Sequence, residues 1–180
     1  MRIISGKYGG RKILTPANMP FTRPTTDFAK EGLFNILQNR VALEDIKTLD
    51  LFGGTGSISL ELASRGAAAL DIVEKDNSMI ASIKKNIESL GIENMQIYKM
   101  GVFEFLENAL EKYDIIFAGP PYALKEIDLL PVKVFEKKLL SPGGFFILEH
   151  TPRNDYANFP AYSFQRNYGT TIFSFFEEPE

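Results

Sequence analysis

Two short segments of the chain combine residue types and spacing that could carry chemistry. The first is Phe52-Gly53-Gly54-Thr55-Gly56-Ser57, which continues the β-prone run TLDLF and leads into a helical pattern. Glycines at such a junction permit a tight turn, and the missing Cβ lets a ligand approach the backbone closely. A dinucleotide fingerprint starting at Gly54 and Gly56 needs a third glycine where Ser59 stands, and the Lys-Ser/Thr ending of a phosphate loop is also missing. Asp50, four residues before Gly54, argues further against phosphate, because a carboxylate beside the loop repels anions and attracts an ammonium. Glu74 ends the next β-prone run, about 20 residues beyond the glycines, where an acid can accept hydrogen bonds from both ribose hydroxyls and excludes a 2′-phosphate. S-adenosylmethionine, with its ammonium, its cationic sulfonium and its unphosphorylated ribose, is the cofactor this pattern predicts.

The second segment is Gly119-Pro120-Pro121-Tyr122, into which the apolar run YDIIFA empties. Two prolines fix the backbone and present Tyr122, and a rigid aromatic ring beside a cofactor pocket is suited to stacking on an extruded base, worth ~1–3 kcal/mol. The chain has no cysteine and one histidine, His150, so thiol nucleophiles, disulfides and a Cys/His metal site are excluded, and no metal is expected. His150 follows an apolar run and is read as structural, since methyl transfer from a sulfonium needs no strong base before attack.

Charge adds a third feature. Residues 1–26 hold Arg2, Lys7, Arg11, Lys12 and Arg23 and no acid, so this segment carries +5 and the remainder −8 within a net charge of −3. A basic arm on an acidic body can contact phosphates while the body opposes non-specific wrapping. No apolar run approaches the ~20 residues that span a bilayer and the amino-terminal residues lack a signal-peptide core, so the expected setting is cytoplasmic, without a membrane partner.

The elements that must hold these segments follow from periodicity. RIISGKYGGRKILTP reads as two β-prone runs around Gly-rich punctuation, a small hairpin. TTDFAKEGLFNILQNR reads as a helix burying Ala29, Leu33, Ile36, Leu37 and Val41, with Asp27 in its first turn. From Lys47 onward, strands TLDLF, LDIVE, MQIYKM, YDIIFA and FFILEH alternate with helices starting near Ser57, Asn77, Val102 and Lys125. The tail YSFQRNYGTTIFSFFE predicts an antiparallel hairpin. The expected architecture is therefore α/β, a doubly wound, mostly parallel sheet of seven strands closed by that hairpin, and it is similar to the Rossmann-like class I methyltransferases. Residues 1–45 form a basic hairpin and helix, and residues 46–180 the cofactor domain.

The chain resembles the bacterial RsmD-type methyltransferases, which modify the guanine N2 amine of small-subunit ribosomal RNA. The resemblance runs nearly end to end, through RIISGKYGGRKI, RPTTDFAKEGLFNIL, LDLFGGTGSISLE, VEKD, VFEFL, the PPY loop, SPGGFFILEH and RNYGTT. It implies that Asp50, Phe52, Gly53, Gly54, Gly56, Glu74, Gly101 and Val102 hold S-adenosylmethionine, and that Gly119, Pro120, Pro121 and Tyr122 form the catalytic loop. It also implies that Arg2, Lys7, Arg11, Lys12, Arg23 and Thr25 meet the substrate, either ribosomal RNA or a small-subunit assembly intermediate.

Four positions depart from the family pattern. Gly119 replaces the Asp that accepts a hydrogen bond from the base amine, and Gly101 replaces an Asp or Asn near the adenine. Lys30 and Phe28 stand where the family often has Arg. A charge-assisted hydrogen bond is worth ~1.5–3 kcal/mol, so the loss at Gly119 is expected to slow transfer roughly 10- to 150-fold, and Gly119→Asp to raise turnover. Two other readings are compatible with the residues: an inactive RNA-binding module of ribosome assembly, and an N-methyltransferase acting on DNA adenine or a protein amide. The sequence is silent on oligomeric state.

Overall fold

The structure, a computed structural model, describes residues 1–19 and 24–179. Twelve elements follow one another: α1 (Asp27–Arg40), β1 (Lys47–Leu51), α2 (Ser57–Ser64), β2 (Ala69–Val73), α3 (Asn77–Leu90), β3 (Met95–Tyr98), α4 (Val102–Asn108), β4 (Tyr113–Ala118), α5 (Leu129–Glu136), β5 (Leu140–His150), β6 (Tyr162–Tyr168) and β7 (Thr171–Glu177). They build a seven-stranded sheet of order β3-β2-β1-β4-β5-β7-β6. The first five strands are parallel, and β7 inserts antiparallel between β5 and β6. This is the expected doubly wound sheet closed by a reversed hairpin.

The central strands are apolar on both faces because helices cover both. One face packs Leu49, Leu51, Ile116 and Phe146 under α4 and α5, and the other packs Ile115, Phe117, Ile147 and Phe173 under α1 and α2. Helix boundaries follow local chemistry. Thr26 caps α1 by accepting from the Ala29 amide at 3.1 Å, Asp76 caps α3 by accepting from the Met79 amide at 2.9 Å, and Gly91 ends α3 in the left-handed region at φ 68°.

Three details differ from the sequence expectation. Helix α5 begins at Leu129, not near Lys125, because Tyr122–Asp128 winds through successive turns closed by bonds such as Leu124 N–H to the Pro121 carbonyl at 2.9 Å. Helix α1 buries Lys30 and Phe34 together with Ala29, Leu33 and Leu37, while Ile36 and Val41 are only half-buried. The amino-terminal hairpin is a single antiparallel bridge between Arg2 and Lys12 and not a ladder of strands.

That hairpin is fixed by polar groups of α2 and α1. Both Glu61 carboxylate oxygens accept backbone amides, from Ile4 at 2.8 Å and Ser5 at 3.1 Å, and the Lys7 amide donates to the Ser64 carbonyl at 2.7 Å. Gly6 makes this approach possible, since a Cβ there would lie 2.0 Å from the Ser64 carbonyl oxygen. The Lys30 ammonium, fully buried, reaches Glu61 at 3.1 Å and the Arg2 carbonyl at 3.0 Å. Lys30 therefore clamps the hairpin to the body and is directed away from solvent. Ile3 and Ile13 complete the seam against Leu60 and Ile92.

Candidate active site

Strand register brings the two chemical segments together. Leu51 pairs with Val73 on one side and Ala118 on the other, and Ala118 pairs in turn with Leu148. The residues immediately after this row, Phe52, Glu74, Gly119 and Glu149, therefore line up along the carboxyl edge of the sheet, where doubly wound folds bind ligands. A cavity of about 600 Å³ opens there. Its wall includes Asp50, Phe52, Gly53, Gly54, Glu74, Gly101, Val102, Gly119, Pro120, Pro121 and Thr25.

The glycine loop is held open by its own backbone chemistry. Gly53 crosses β2 so closely that a Cβ would meet the Ile72 methyl at 2.3 Å. Phe52 adopts φ 62°, an uncommon conformation for a bulky residue and one that concentrates at functional sites. Gly56 does not line the cavity; it stands at the amino end of α2 with φ 78° and turns the chain into the helix. Glu74 accepts three backbone amides, from Gly54 at 2.8 Å, Lys75 at 2.9 Å and Asp76 at 2.8 Å. Its carboxylate thus braces the loop while facing the cavity, and a carboxylate's roughly four acceptor positions leave room for a ribose hydroxyl.

Asp50 is buried in the cavity wall and accepts a hydrogen bond from the Ser59 hydroxyl at 2.7 Å. Ser59 occupies the place of the missing third glycine, so the departure from the dinucleotide pattern has a structural use. Burial pushes the Asp50 carboxyl up to about 7, offset in part by Ser59 and reinforced by Glu74 and Glu149. A buried carboxyl in this condition gains from a cation at its side. Nearby, the Ser57 hydroxyl is buried without a hydrogen-bond partner among the described residues. An ammonium against Asp50 and a polar ligand atom against Ser57 would satisfy both groups. Met79, Met100, Val102 and Phe103 supply apolar surface for a base. The residues present thus fit S-adenosylmethionine.

At the other side of the cavity, Pro120 is buried and Tyr122 half-buried. The Tyr122 hydroxyl donates to Glu149 Oε2 at 2.8 Å, and the Thr25 hydroxyl donates to Glu149 Oε1 at 2.5 Å. Burial holds the Glu149 carboxyl above the usual carboxylate range despite these two donors. Glu149 was not among the residues singled out from the sequence. The signal available was an acid ending the apolar run FFILE, the same pattern that marks Glu74. The neighbouring His150 is fully buried, bonded to Ser174 Oγ at 2.7 Å and the Thr151 carbonyl at 2.8 Å, with its pKa lowered by burial. It is a core residue.

Of the basic residues, Arg2, Lys7, Arg11 and Lys12 are all exposed on the hairpin, and none forms an ion pair with another described residue. Arg23 lies outside the described residues. Asn18, Pro24 and Thr25 line the cavity, so the chain leaving the basic hairpin borders the pocket. Phe28 is exposed and meets Tyr168 edge-on at 5.6 Å. Among the described residues, no helix is long and apolar enough to cross a membrane, and no group of three acidic or histidine side chains is placed to hold a metal.

Residues 1–177 match the family model described as Conserved hypothetical protein 95. The chain is 38% identical, over 76% of its length and 72% of the relative's, to the ribosomal RNA small subunit methyltransferase D of Buchnera aphidicola. It superposes on the putative methyltransferase yhhF of Escherichia coli with a TM-score of 0.86 at 26% identity, covering 98% of this chain and 96% of that one. It also superposes on a T. thermophilus 16S rRNA N2 methyltransferase (RsmC), solved in complex with AdoMet and guanosine, with a TM-score of 0.69 at 27% identity, covering 88% of this chain and 45% of that one. The sheet order, the cavity at its carboxyl edge and these matches together place the chain in the Conserved hypothetical protein 95 family, the RsmD-type class I methyltransferases.

Proposed function

We propose that this protein methylates the exocyclic N2 amine of a guanine in small-subunit ribosomal RNA, using S-adenosylmethionine. The observation that carries this reading is a single cavity walled jointly by the glycine loop with Asp50 and Glu74, by the Pro120-Pro121 turn beside Tyr122, and by Thr25 at the end of the basic segment. The first wall suits a cationic nucleoside and the second a planar base. The named functions of the Buchnera relative and of RsmC support RNA as substrate and the guanine amine as target.

In this reading, S-adenosylmethionine supplies a methyl group already activated by the sulfonium. The protein's own contribution is alignment, which accounts for a large share of such an acceleration. Asp50 and Glu74 fix the cofactor end, the Pro120-Pro121 backbone and the Tyr122 ring fix the base, and Met79, Met100, Val102 and Phe103 supply apolar surface beside them. Residues 1–45 act as the RNA-contacting unit, in which Arg2, Lys7, Arg11, Lys12 and Arg23 meet phosphates. The substrate is ribosomal RNA, free or within a small-subunit assembly intermediate, and the setting is cytoplasmic.

Incubating small-subunit RNA with the protein and isotopically labelled S-adenosylmethionine, followed by nucleoside mass spectrometry, tests the proposal. N2-methylguanosine bearing the label is the expected product. Label on adenine, on protein or on DNA in place of RNA guanine rejects it.

A further inference from the structure

Gly119 and Glu149 are neighbours across β4 and β5, because Ala118 and Leu148 pair in register directly before them. A Cβ built on Gly119 would lie 4.0 Å from Glu149 Oε1 and 3.2 Å from the Phe117 ring. The Glu149 carboxylate thus borders the space that a side chain at position 119 would enter. It faces the cavity beside the Pro120-Pro121 turn, and its two oxygens are oriented by the Thr25 and Tyr122 hydroxyls. Those donors occupy two of its roughly four acceptor positions. The other acids of the wall are committed elsewhere. Asp50 and Glu74 belong to the glycine loop, Asp76 caps α3, and Glu104 is an exposed residue of α4.

We infer that Glu149 is the catalytic acceptor for an N–H of the target amine, so that a carboxylate from β5 does the work that position 119 cannot do as glycine. The inference rests on the amine methylation proposed above. An aromatic amine is a poor nucleophile because its lone pair is delocalised into the ring. An anionic acceptor on one of its hydrogens pulls the nitrogen toward a tetrahedral form and directs the lone pair at the methyl. As the N–C bond forms, the electron pair of the S–C bond returns to sulfur. The nitrogen then carries a positive charge and releases one proton to the Glu149 carboxylate, which passes it to solvent through the cavity mouth. Burial that raises the affinity of this carboxyl for a proton suits it to that transfer. The Tyr122 hydroxyl links the acceptor to the ring that stacks on the base, and Thr25 links it to the RNA-contacting segment.

Four variants and three readouts test this. Single-turnover methylation of small-subunit RNA is expected to fall about 10- to 100-fold in Glu149→Gln, with the dissociation constant for S-adenosylmethionine unchanged by calorimetry. Binding of guanosine and of inosine, which lacks the amine, is measured by ligand-observed NMR with S-adenosylhomocysteine present. The wild type should prefer guanosine, and Glu149→Gln, whose amide oxygen is a neutral and weaker acceptor, should reduce the preference several-fold. The double variant Gly119→Asp/Glu149→Gln should recover part of the rate, while Gly119→Asp alone, expected from the sequence to raise turnover, sets a second carboxylate beside Glu149 and should bring no gain. Tyr122→Phe, which keeps the ring but drops the hydroxyl, should lose less than Glu149→Gln. The inference is overturned if Glu149→Gln keeps both the rate and the guanosine preference, or if Gly119→Asp alone speeds transfer tenfold or more. It is also overturned if Tyr122→Phe is as slow as Glu149→Gln and position 119 gives no rescue, because Glu149 would then only position the ring. A wild type that yields no methylated guanine defeats the proposed function, and the nucleoside arm still decides Glu149.

Discussion

The wall of the cavity that fits the cofactor takes Asp50, Gly53, Gly54 and Glu74 from one β-α-β unit, and another part of the wall takes Thr25, Pro120, Pro121 and Glu149 from three segments spread over 124 residues, with Tyr122 behind it bonded to Glu149. The first wall is held by backbone amides of its own β-α-β unit, at most 20 residues away, so its shape is set once β1, α2 and β2 are packed. The second exists only when β4 and β5 are in register and the amino-terminal segment is docked. Such a division suits an enzyme that keeps a common donor and varies its acceptor. The donor side is a short unit that can stay constant, and the acceptor side changes with any element that contributes to it.

This contrast can be broken or sharpened by mutation. The largest effect is expected from Glu61→Ala, which removes the anchor of the amino-terminal segment and leaves the Lys30 ammonium buried without its carboxylate. Losing one partner of a buried ion pair costs about 3–5 kcal/mol, read as a lower midpoint in urea denaturation. A midpoint close to that of the wild type would show that the segment docks without this clamp.

Asp50→Asn should weaken S-adenosylmethionine binding about 10- to 100-fold by calorimetry, with little effect on guanosine binding. The wild type should also bind the cofactor less well as pH falls. The Asp50 carboxyl, raised to about 7, takes up a proton below that pH and can no longer balance the ammonium, so affinity should drop by up to roughly tenfold per pH unit. The Asparagine variant should lack this slope. A slope that persists in the variant would assign the titration to another group.

Removing charge from the hairpin with Arg11→Gln and Lys12→Gln should weaken RNA binding and reduce the dependence of log K on log salt by about 1.5, while cofactor affinity stays constant. A loss of cofactor affinity instead would mean that the hairpin shapes the donor wall too. The smallest effect is expected from Gly101→Asp. A Cβ at this position meets nothing within 4 Å, and Gly101 is the amino-terminal cap of α4 without a side-chain bond. The added carboxylate should stabilise the helix by a few tenths of a kcal/mol and tighten cofactor binding several-fold, as read by thermal melting and calorimetry.

Much of the donor wall was legible in the sequence because its information is local. Glycines after a β-prone run, an acid before them and an acid at the end of the next strand lie within 25 residues, and strand-turn-helix geometry alone brings them together. Ser59 was read only as a missing glycine, whereas the fold gives it to Asp50. On the other side the sequence singles out Gly119-Pro120-Pro121-Tyr122 and reads His150 as structural, and nothing local distinguishes the neighbouring Glu149 beyond an acid ending an apolar run. Strand pleating sends adjacent side chains to opposite faces, and here it buries the histidine in the core and turns the acid to the cavity. Lys30 stands out in the sequence only as a replacement for the family's usual Arg, and the fold buries it against Glu61.

Composition, periodicity and local motifs by themselves determined the order of strands and helices, the glycine loop, the Pro-Pro turn and the basic segment, since each depends on residues close in the chain. Only the tertiary structure decided that Glu149 faces Gly119, that Thr25 reaches across to it and that Glu61 secures the hairpin. Those contacts arise from strand register and from the burial of charged groups that need partners, and neither is encoded within any single stretch of residues.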